Sequence, residues 1–206
     1  MPHKSVDCSL YFCTADDTSI NCVAEAIRGG VTVIQLRAKN LSGRDFFRRA
    51  VELREVTRRL SVPLIINDRA DIALAVDADG VHVGQKDLPC REVRRLMGEG
   101  KIIGVSAATV DEALEAQADG ANYIGAGAVF TTSTKQNTRA LSLDVLKRIV
   151  QAVEIPVVAI GGIKQDNAAQ LIDTGISGIA VVSAIASAAD PCRAAAELKQ
   201  IWSKQL

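Results

Sequence analysis

PLIINDRADIALAVDADGVHVG, residues 63–84, contains one complete unit of the pattern that decides the fold. Its two apolar runs, PLIIND (63–68) and GVHVG (80–84), are short and apolar on successive positions, as expected of strands buried on both faces. RADIALAV between them has helical spacing. A strand, a helix and a second strand in this order imply a parallel pair joined by a right-handed crossover.

The same unit recurs on both sides. LYFCT (10–14), VTVIQLRA (31–38), KIIGVSA (101–107), NYIGAGAV (122–129), PVVAIGGI (156–163) and GIAVVSAI (178–185) read as six further strands. Helical patterns fill the gaps, among them INCVAEAIRGG, SGRDFFRRAVELREVTRRL, PCREVRRLMG, TVDEALEAQADG, SLDVLKRIVQAV and QDNAAQLIDTG, and DPCRAAAELKQIWSK ends the series. Thr109 and Ser142 suit helix N-caps, and Pro89 and Pro191 suit first turns. Eight β–α units predict an α/β fold, a single (β/α)8 TIM barrel of parallel strands spanning residues 1–206. An open doubly wound sheet is the competing architecture. Its G-x-G-x-x-G turn is missing after LYFCT, and GAGAVF (125–130) reads as a strand end.

Composition agrees. Hydrophobic residues make up 48% and aromatics 3%, so the core is aliphatic, which suits strands covered by helices. Lys plus Arg and Asp plus Glu balance at 24 each, which gives no overall field for nucleic acid. Five cysteines, an odd number without a C-x-x-C pair, argue against a disulfide framework or a zinc site. The sequence has neither a signal-like N-terminus nor an uninterrupted apolar run of membrane-spanning length, so a soluble cytoplasmic protein is expected.

In such a barrel the chemistry sits at the C-terminal strand ends. The second strand delivers Gln35, Arg37 and Lys39 at alternate positions, on one face if the strand continues and as rim residues if it has ended. The third ends in Asn67-Asp68, and Asp87 follows the fourth. These carboxylates could cap the next helices, or share a Mg2+ ion, which typically takes one or two carboxylates and substrate phosphates. Beside three cationic candidates, the metal–polyphosphate reading is favoured. His82 is a lone strand histidine, which suits packing better than metal ligation. Ser106 lies at the end of the fifth strand. Gly161-Gly162 after the seventh and Ser183 after the eighth stand where a barrel phosphate site is usual, which is preferred over an ordinary tight turn at the glycines. The loop FTTSTKQNTRA (130–140) is hydroxyl-rich and carries Lys135 and Arg139. No cysteine is expected at a strand end of this face, and no Ser-His-Asp set is suggested. Two anion sites and a divalent ion suit a pyrophosphate leaving group, whose departure needs charge stabilisation rather than a nucleophile–base pair.

The segments GGVTVIQLRAKN, PLIINDRADIALAVDADGVHVGQKDLP, IIGVSA, NYIGAGAVFTTSTKQNTRA, PVVAIGGI and GIAVVSAI resemble, in this order and over roughly residues 10–191, the thiamine-phosphate synthases. The resemblance implies a Mg2+-dependent (β/α)8 enzyme of thiamine diphosphate biosynthesis. It would join 4-amino-2-methyl-5-hydroxymethylpyrimidine diphosphate to 4-methyl-5-(2-phosphoethyl)thiazole and release pyrophosphate by a dissociative route. It implies Asp68 and Asp87 as metal ligands, and Arg37, Lys135 and Ser106 as catalytic residues. Gln35, Arg37, Lys39, Asn67, His82, Gly84, Ser106 and Lys135 would bind the pyrimidine diphosphate. Thr132 and Thr134, beside the diphosphate, would join Gly161, Gly162, Val182 and Ser183 around the thiazole phosphate. Partners are then small molecules, without nucleic acid or membrane; homo-oligomerisation stays open. Two positions depart from the family's frequent pattern: Ala128 stands where G-P-V-F has proline, and Ala108 where a histidine often follows the fifth-strand serine. A thiazole tautomerase or regulatory relative and a non-catalytic phosphate-binding module are the competing functions. The joint presence of Q-x-R-x-K and T-x-T-K favours the synthase.

Overall fold

The computed structural model describes residues 6–131 and 141–203. Eight parallel strands close into a barrel in chain order. They are β1 (Leu10–Cys13), β2 (Val33–Leu36), β3 (Leu64–Asn67), β4 (Gly80–Val83), β5 (Ile102–Ala107), β6 (Tyr123–Gly127), β7 (Val157–Ile160) and β8 (Gly178–Val181). Closure is direct, with Leu10 of β1 in register with Ile179 of β8. The helices α1 (Ile20–Arg28), α2 (Gly43–Arg59), α3 (Ala70–Ala75), α4 (Cys90–Met97), α5 (Val110–Ala118) and α6 (Leu143–Ala152) each follow the strand of the same number. A 3₁₀ helix (Ala168–Thr174) follows β7, and α7 (Ser183–Ala186) and α8 (Pro191–Ser203) follow β8.

Alternation along each strand creates two cores. Phe12, Ile34, Leu64, Ile66, Val81, Ile103 and Ile124 point outward, into a cluster shared with helix residues such as Leu53, Val93, Leu146 and Leu198. Tyr11, Val33, Ile65, Ile102, Tyr123, Val158 and Ala180 fill the barrel interior. Strands buried on both sides explain why the apolar runs show little polar alternation.

Local chemistry sets the helix starts. Ser19, Ser42, Thr109 and Ser142 each hold extended backbone and accept a hydrogen bond from the N–H three residues on. Pro191 opens α8, whereas Pro89 lies just before α4. Neither Asp68 nor Asp87 caps a helix. Arg69 precedes α3 without a side-chain cap, and Pro89 precedes α4. Asp68 has φ of 64°, left-handed backbone that an N-cap does not use.

Two expectations are corrected. The strand expected over 178–185 ends at Val181; Val182, with φ −119° and ψ −84°, turns the chain into α7. The helix expected from QDNAAQLIDTG is a 3₁₀ helix interrupted at Asp173. Asn167 ties its side chain back to the β7 loop, donating to Gly162 O at 2.9 Å and accepting from Lys164 N at 2.8 Å, and is not used as a side-chain cap. Among the described residues, no helix is long and apolar enough to cross a membrane.

Candidate active site

The C-terminal strand ends surround a cavity of about 480 Å³. Arg37, Gly84, Ser106, Gly161, Gly162, Val182 and Ser183 line it, so residues expected at two separate anion sites share one space. A smaller cavity of about 70 Å³ reaches into the barrel and is lined by Gln35, Arg37, Asn67, His82 and Ser106 among others. Arg37 and Ser106 line both. Thr132, Thr134, Lys135 and the unassigned Arg139 lie outside the described residues.

The Q-x-R-x-K run resolves into two settings. Gln35 is within β2, is 5% exposed and points into the barrel. Arg37 and Lys39 follow the strand's end, so they are rim residues after all, held in place by the loop after β1. Buried Thr14 accepts from Arg37 N at 3.0 Å and donates to Arg37 O at 3.3 Å. Asp16 accepts from Lys39 N at 2.8 Å and also bonds the Asn40 side chain. The backbone of both cationic residues is thereby fixed while their side chains remain at the mouth. Among the described residues no carboxylate pairs with the Arg37 guanidinium.

Lys39 instead pairs with Asp68, whose N–H donates to His82 O at 2.8 Å. Asp87 accepts from Gly84 N at 2.8 Å. The Asp68 and Asp87 carboxyls are near enough to influence each other's charge. Burial pushes the Asp87 carboxyl above the usual carboxylate range and the Asp68 carboxylate adds to the push, while the Gly84 N–H opposes it. Two crowded carboxyls offering only oxygen donors fit a hard divalent cation. Among the described residues no group of three or more His, Cys, Asp or Glu could form a complete protein cage.

Below the mouth runs a chain of hydrogen-bonded polar groups. Gln35 Nε2 donates to Tyr11 OH at 2.9 Å, Tyr11 OH meets Tyr123 OH at 2.7 Å, and Tyr123 OH meets His82 Nδ1 at 2.9 Å. His82 Nε2 meets Ser106 Oγ at 2.9 Å. His82 is thus packed and hydrogen-bonded, as a lone strand histidine suggested. Gly104 makes room: a Cβ there would lie 2.3 Å from Tyr123 OH and 2.5 Å from His82 Nδ1. Burial pushes both tyrosines well above their ordinary range.

On the opposite wall, Gly161 (φ 105°) and Gly162 (φ 68°) follow β7 in left-handed backbone. A Cβ on Gly161 would lie 2.5 Å from that of Ala128, and one on Gly162 would lie 2.5 Å from Thr131 O. Glycine is required here by conformation and by close approach. The same contact places Ala128, one of the two departures, directly against the glycine wall. Ala108, the other, lines the large cavity.

Several site residues had no sequence signal strong enough to single them out. Tyr11 and Tyr123 sat inside apolar runs; their alternation with Cys13, Gly125 and Gly127 marks the inward face once closure is known. Cys13 is a correction. It ends β1 and lines both cavities, so a cysteine does occupy a strand end of this face. Glu112, which accepts from Ala108 N at 2.6 Å, and Gln85, which donates to Ser106 O at 2.8 Å, complete part of the mouth.

A family model described as thiamine monophosphate synthase matches residues 10–185. The chain is 52% identical over 204 residues to the thiamine-phosphate synthase of Ruminiclostridium cellulolyticum, covering 97% of each. It is 48% identical to that of Clostridium tetani, covering 99% of this chain and 100% of the relative. Among solved structures, thiamine phosphate pyrophosphorylase from Pyrococcus furiosus superposes with a TM-score of 0.90 at 42% identity, over 97% of this chain and 98% of that one. With the barrel, its cavity and these likenesses in agreement, the chain belongs to the thiamine monophosphate synthase family and is a transferase.

Proposed function

We propose that the chain makes thiamine phosphate by joining 4-amino-2-methyl-5-hydroxymethylpyrimidine diphosphate to 4-methyl-5-(2-phosphoethyl)thiazole, with release of pyrophosphate. The observation that carries this reading is the meeting of Arg37 and Ser106 with the Gly161-Gly162 wall around one cavity, next to the Lys39–Asp68–Asp87 cluster. A diphosphate at the mouth finds cations on one side, and a second phosphate finds glycine backbone on the other. The ring between them reaches the small cavity below.

Arg37, Lys39 and Lys135 hold the leaving diphosphate and neutralise its growing charge as the C–O bond to the pyrimidine methylene breaks. Asn67 adds a polar contact at the mouth. Mg2+ held by Asp68 and Asp87 would supply further neutralisation of the departing oxygens. Gln35, His82, Gly84 and Ser106 face the pyrimidine, whose ring stabilises the methylene cation. Gly161, Gly162, Val182 and Ser183, with Thr132 and Thr134, hold the thiazole phosphate so that the ring nitrogen captures that cation. The partly enclosed cavity keeps water, the competing nucleophile, from the cation. A cytoplasmic location belongs to this reading, and a homo-oligomer is compatible with it.

The test is a discontinuous assay with both substrates and Mg2+, following thiamine phosphate and pyrophosphate together. Equal amounts of the two products are expected. Well-folded protein that gives neither would overturn the reading in favour of a phosphate-binding or regulatory relative.

A further inference from the structure

The chain from Gln35 to Ser106 has a direction, and the direction is fixed by chemistry at one end. An amide nitrogen only donates, so Tyr11 OH must accept from Gln35 Nε2. Burial keeps both phenols protonated, so each has one hydrogen to give. The Tyr11 hydrogen then points at Tyr123 OH, 2.7 Å away, and the Tyr123 hydrogen at His82 Nδ1, 2.9 Å away. In a neutral ring His82 Nδ1 is then the acceptor, and the proton is on Nε2, donated to Ser106 Oγ at 2.9 Å. The Ser106 hydroxyl hydrogen is left to point elsewhere, and Ser106 lines both cavities. At the other end, the Gln35 amide keeps its acceptor oxygen, and Gln35 lines the small cavity.

We infer that Tyr11 and Tyr123 are positioning residues for substrate selection: through His82 they lock Gln35 as an acceptor and Ser106 as a donor, so that the cavity takes a heteroaromatic ring bearing an amino donor and a ring-nitrogen acceptor. This inference rests on the proposed function for the identity of that ring. A 4-aminopyrimidine offers the matching pair. Its 4-oxo analogue has nearly the same size but replaces the amino donor with a carbonyl acceptor and puts a proton on the neighbouring nitrogen. It would set acceptor against acceptor in a closed space, the kind of mismatch that built polar sites reject strongly. The tyrosines need not touch the substrate for this.

The first measurement needs no substrate. The chain has two histidines, His3 and His82, so ¹⁵N-histidine labelling gives two imidazole spin systems, which a His3→Gln variant assigns. At a pH of about 8, above the ordinary imidazole pKa, His82 should be the Nε2–H tautomer. Finding the Nδ1–H tautomer would overturn the inference, since the chain would then run the other way. The second measurement compares kcat/KM for the 4-amino substrate and its 4-oxo analogue in Tyr11→Phe and Tyr123→Phe. Both variants keep the ring and break the chain at different links. Preference for the amino compound should fall by about tenfold or more in each, while KM for the thiazole phosphate stays unchanged. Wild-type preference in either folded variant would overturn the inference. If the unmodified protein turns over neither compound, the proposed function fails, and the tautomer measurement still decides the direction of the chain.

Discussion

The two ends of the barrel treat charge in opposite ways. At the N-terminal end, charged groups find partners inside the protein. Arg94, 9% exposed, donates to Gly120 O, Gly98 O and Lys101 O and to Asn122 Oδ1 at 2.6 Å. Arg54 pairs with Asp79 at 2.6 Å, and Lys101 with Asp77 at 2.6 Å. At the C-terminal end Lys39 pairs with Asp68, but Arg37 has no carboxylate partner among the described residues, and the Asp68 charge disfavours that of Asp87. A satisfied charge contributes to the fold; an unsatisfied one stores affinity for something not yet bound. The distinction predicts that substitutions at the upper end alter turnover without altering stability, and that those at the lower end do the reverse.

The largest effects are expected at the mouth. Arg37→Ala and Lys135→Ala should each lower kcat/KM by about a hundredfold or more, the size of losing one preorganised charge contact in the transition state. The Arg37→Ala thermal midpoint should stay within about 2 °C of the parent, because its guanidinium has no carboxylate partner among the described residues to lose. A near-normal rate in either variant would remove that residue from the diphosphate site. Chelation should abolish turnover and added Mg2+ restore it; activity that survives exhaustive chelation would remove the metal from the proposal.

Arg94→Met tests the other end. The methionine keeps much of the side-chain length but leaves three carbonyls short of a donor, while the Asn122 amide oxygen keeps the Ile103 N–H at 2.8 Å. Buried unsatisfied acceptors cost about 1–3 kcal/mol each, with partial relief by water. A net loss of about 3 kcal/mol is expected, equal to a drop of about 6–12 °C for a domain of this size. The kcat/KM of the folded fraction should change by less than about twofold. A large kinetic defect with an unchanged midpoint would break the contrast between the two ends.

Thr14→Val is the intermediate case, because Thr14 is buried yet acts on the mouth. Its hydroxyl makes two bonds to the Arg37 backbone. Their removal should cost about 1 kcal/mol of stability and lower kcat/KM by about tenfold, since small displacements of a charged contact are amplified in rate. The two effects should appear together. A stability loss with no kinetic loss would show that the first loop supports the fold alone.

Sequence patterning reached the strands and the charged rim, and physical reasons explain where it stopped. Successive apolar residues, as in PLII, announce a strand buried on both faces. They do not say which face turns inward, because inside and outside are equally apolar. Tyr11 and Tyr123 were hidden by that symmetry, and only closure of β1 onto β8 exposes them as interior. Asp68 and Asp87 stood out only as a pair beside three cations, since either alone reads as a helix cap. The helix-capping alternative fell only with the left-handed backbone of Asp68. Ser183 was placed at the right end of the barrel but in the wrong element, since the turn at Val182 depends on dihedral angles that VVSAI does not advertise. Among the described residues, the site's chemistry was therefore readable where it departs from the core's composition and unreadable where it hides within it.

The smallest effect expected is at Asp77, and it checks whether an exposed pair at the lower end behaves as a satisfied charge at all. Lys101, by hydrogen bond and by charge, holds the Asp77 carboxyl below its usual range, with Arg54 and Arg58 contributing less. A carboxylate depressed in the folded state adds stability above its unfolded pKa of about 3.9 and loses it as pH falls through the folded value. Asp77→Asn should therefore be less stable than the parent at pH 7. Asp77 is largely exposed, so solvent screening limits the difference to at most about 1 kcal/mol. The two proteins should converge as the pH falls through the lowered folded-state value, where the native carboxyl also takes up its proton. High salt should narrow the gap at pH 7 in the same direction. Urea denaturation of both proteins across this pH range measures the difference directly. A gap that persists unchanged into acid would mean that Asp77 acts through its backbone position and not through its charge, which would remove this pair from the lower end's set of neutralised charges and leave Arg94 and the Arg54–Asp79 pair to carry the contrast.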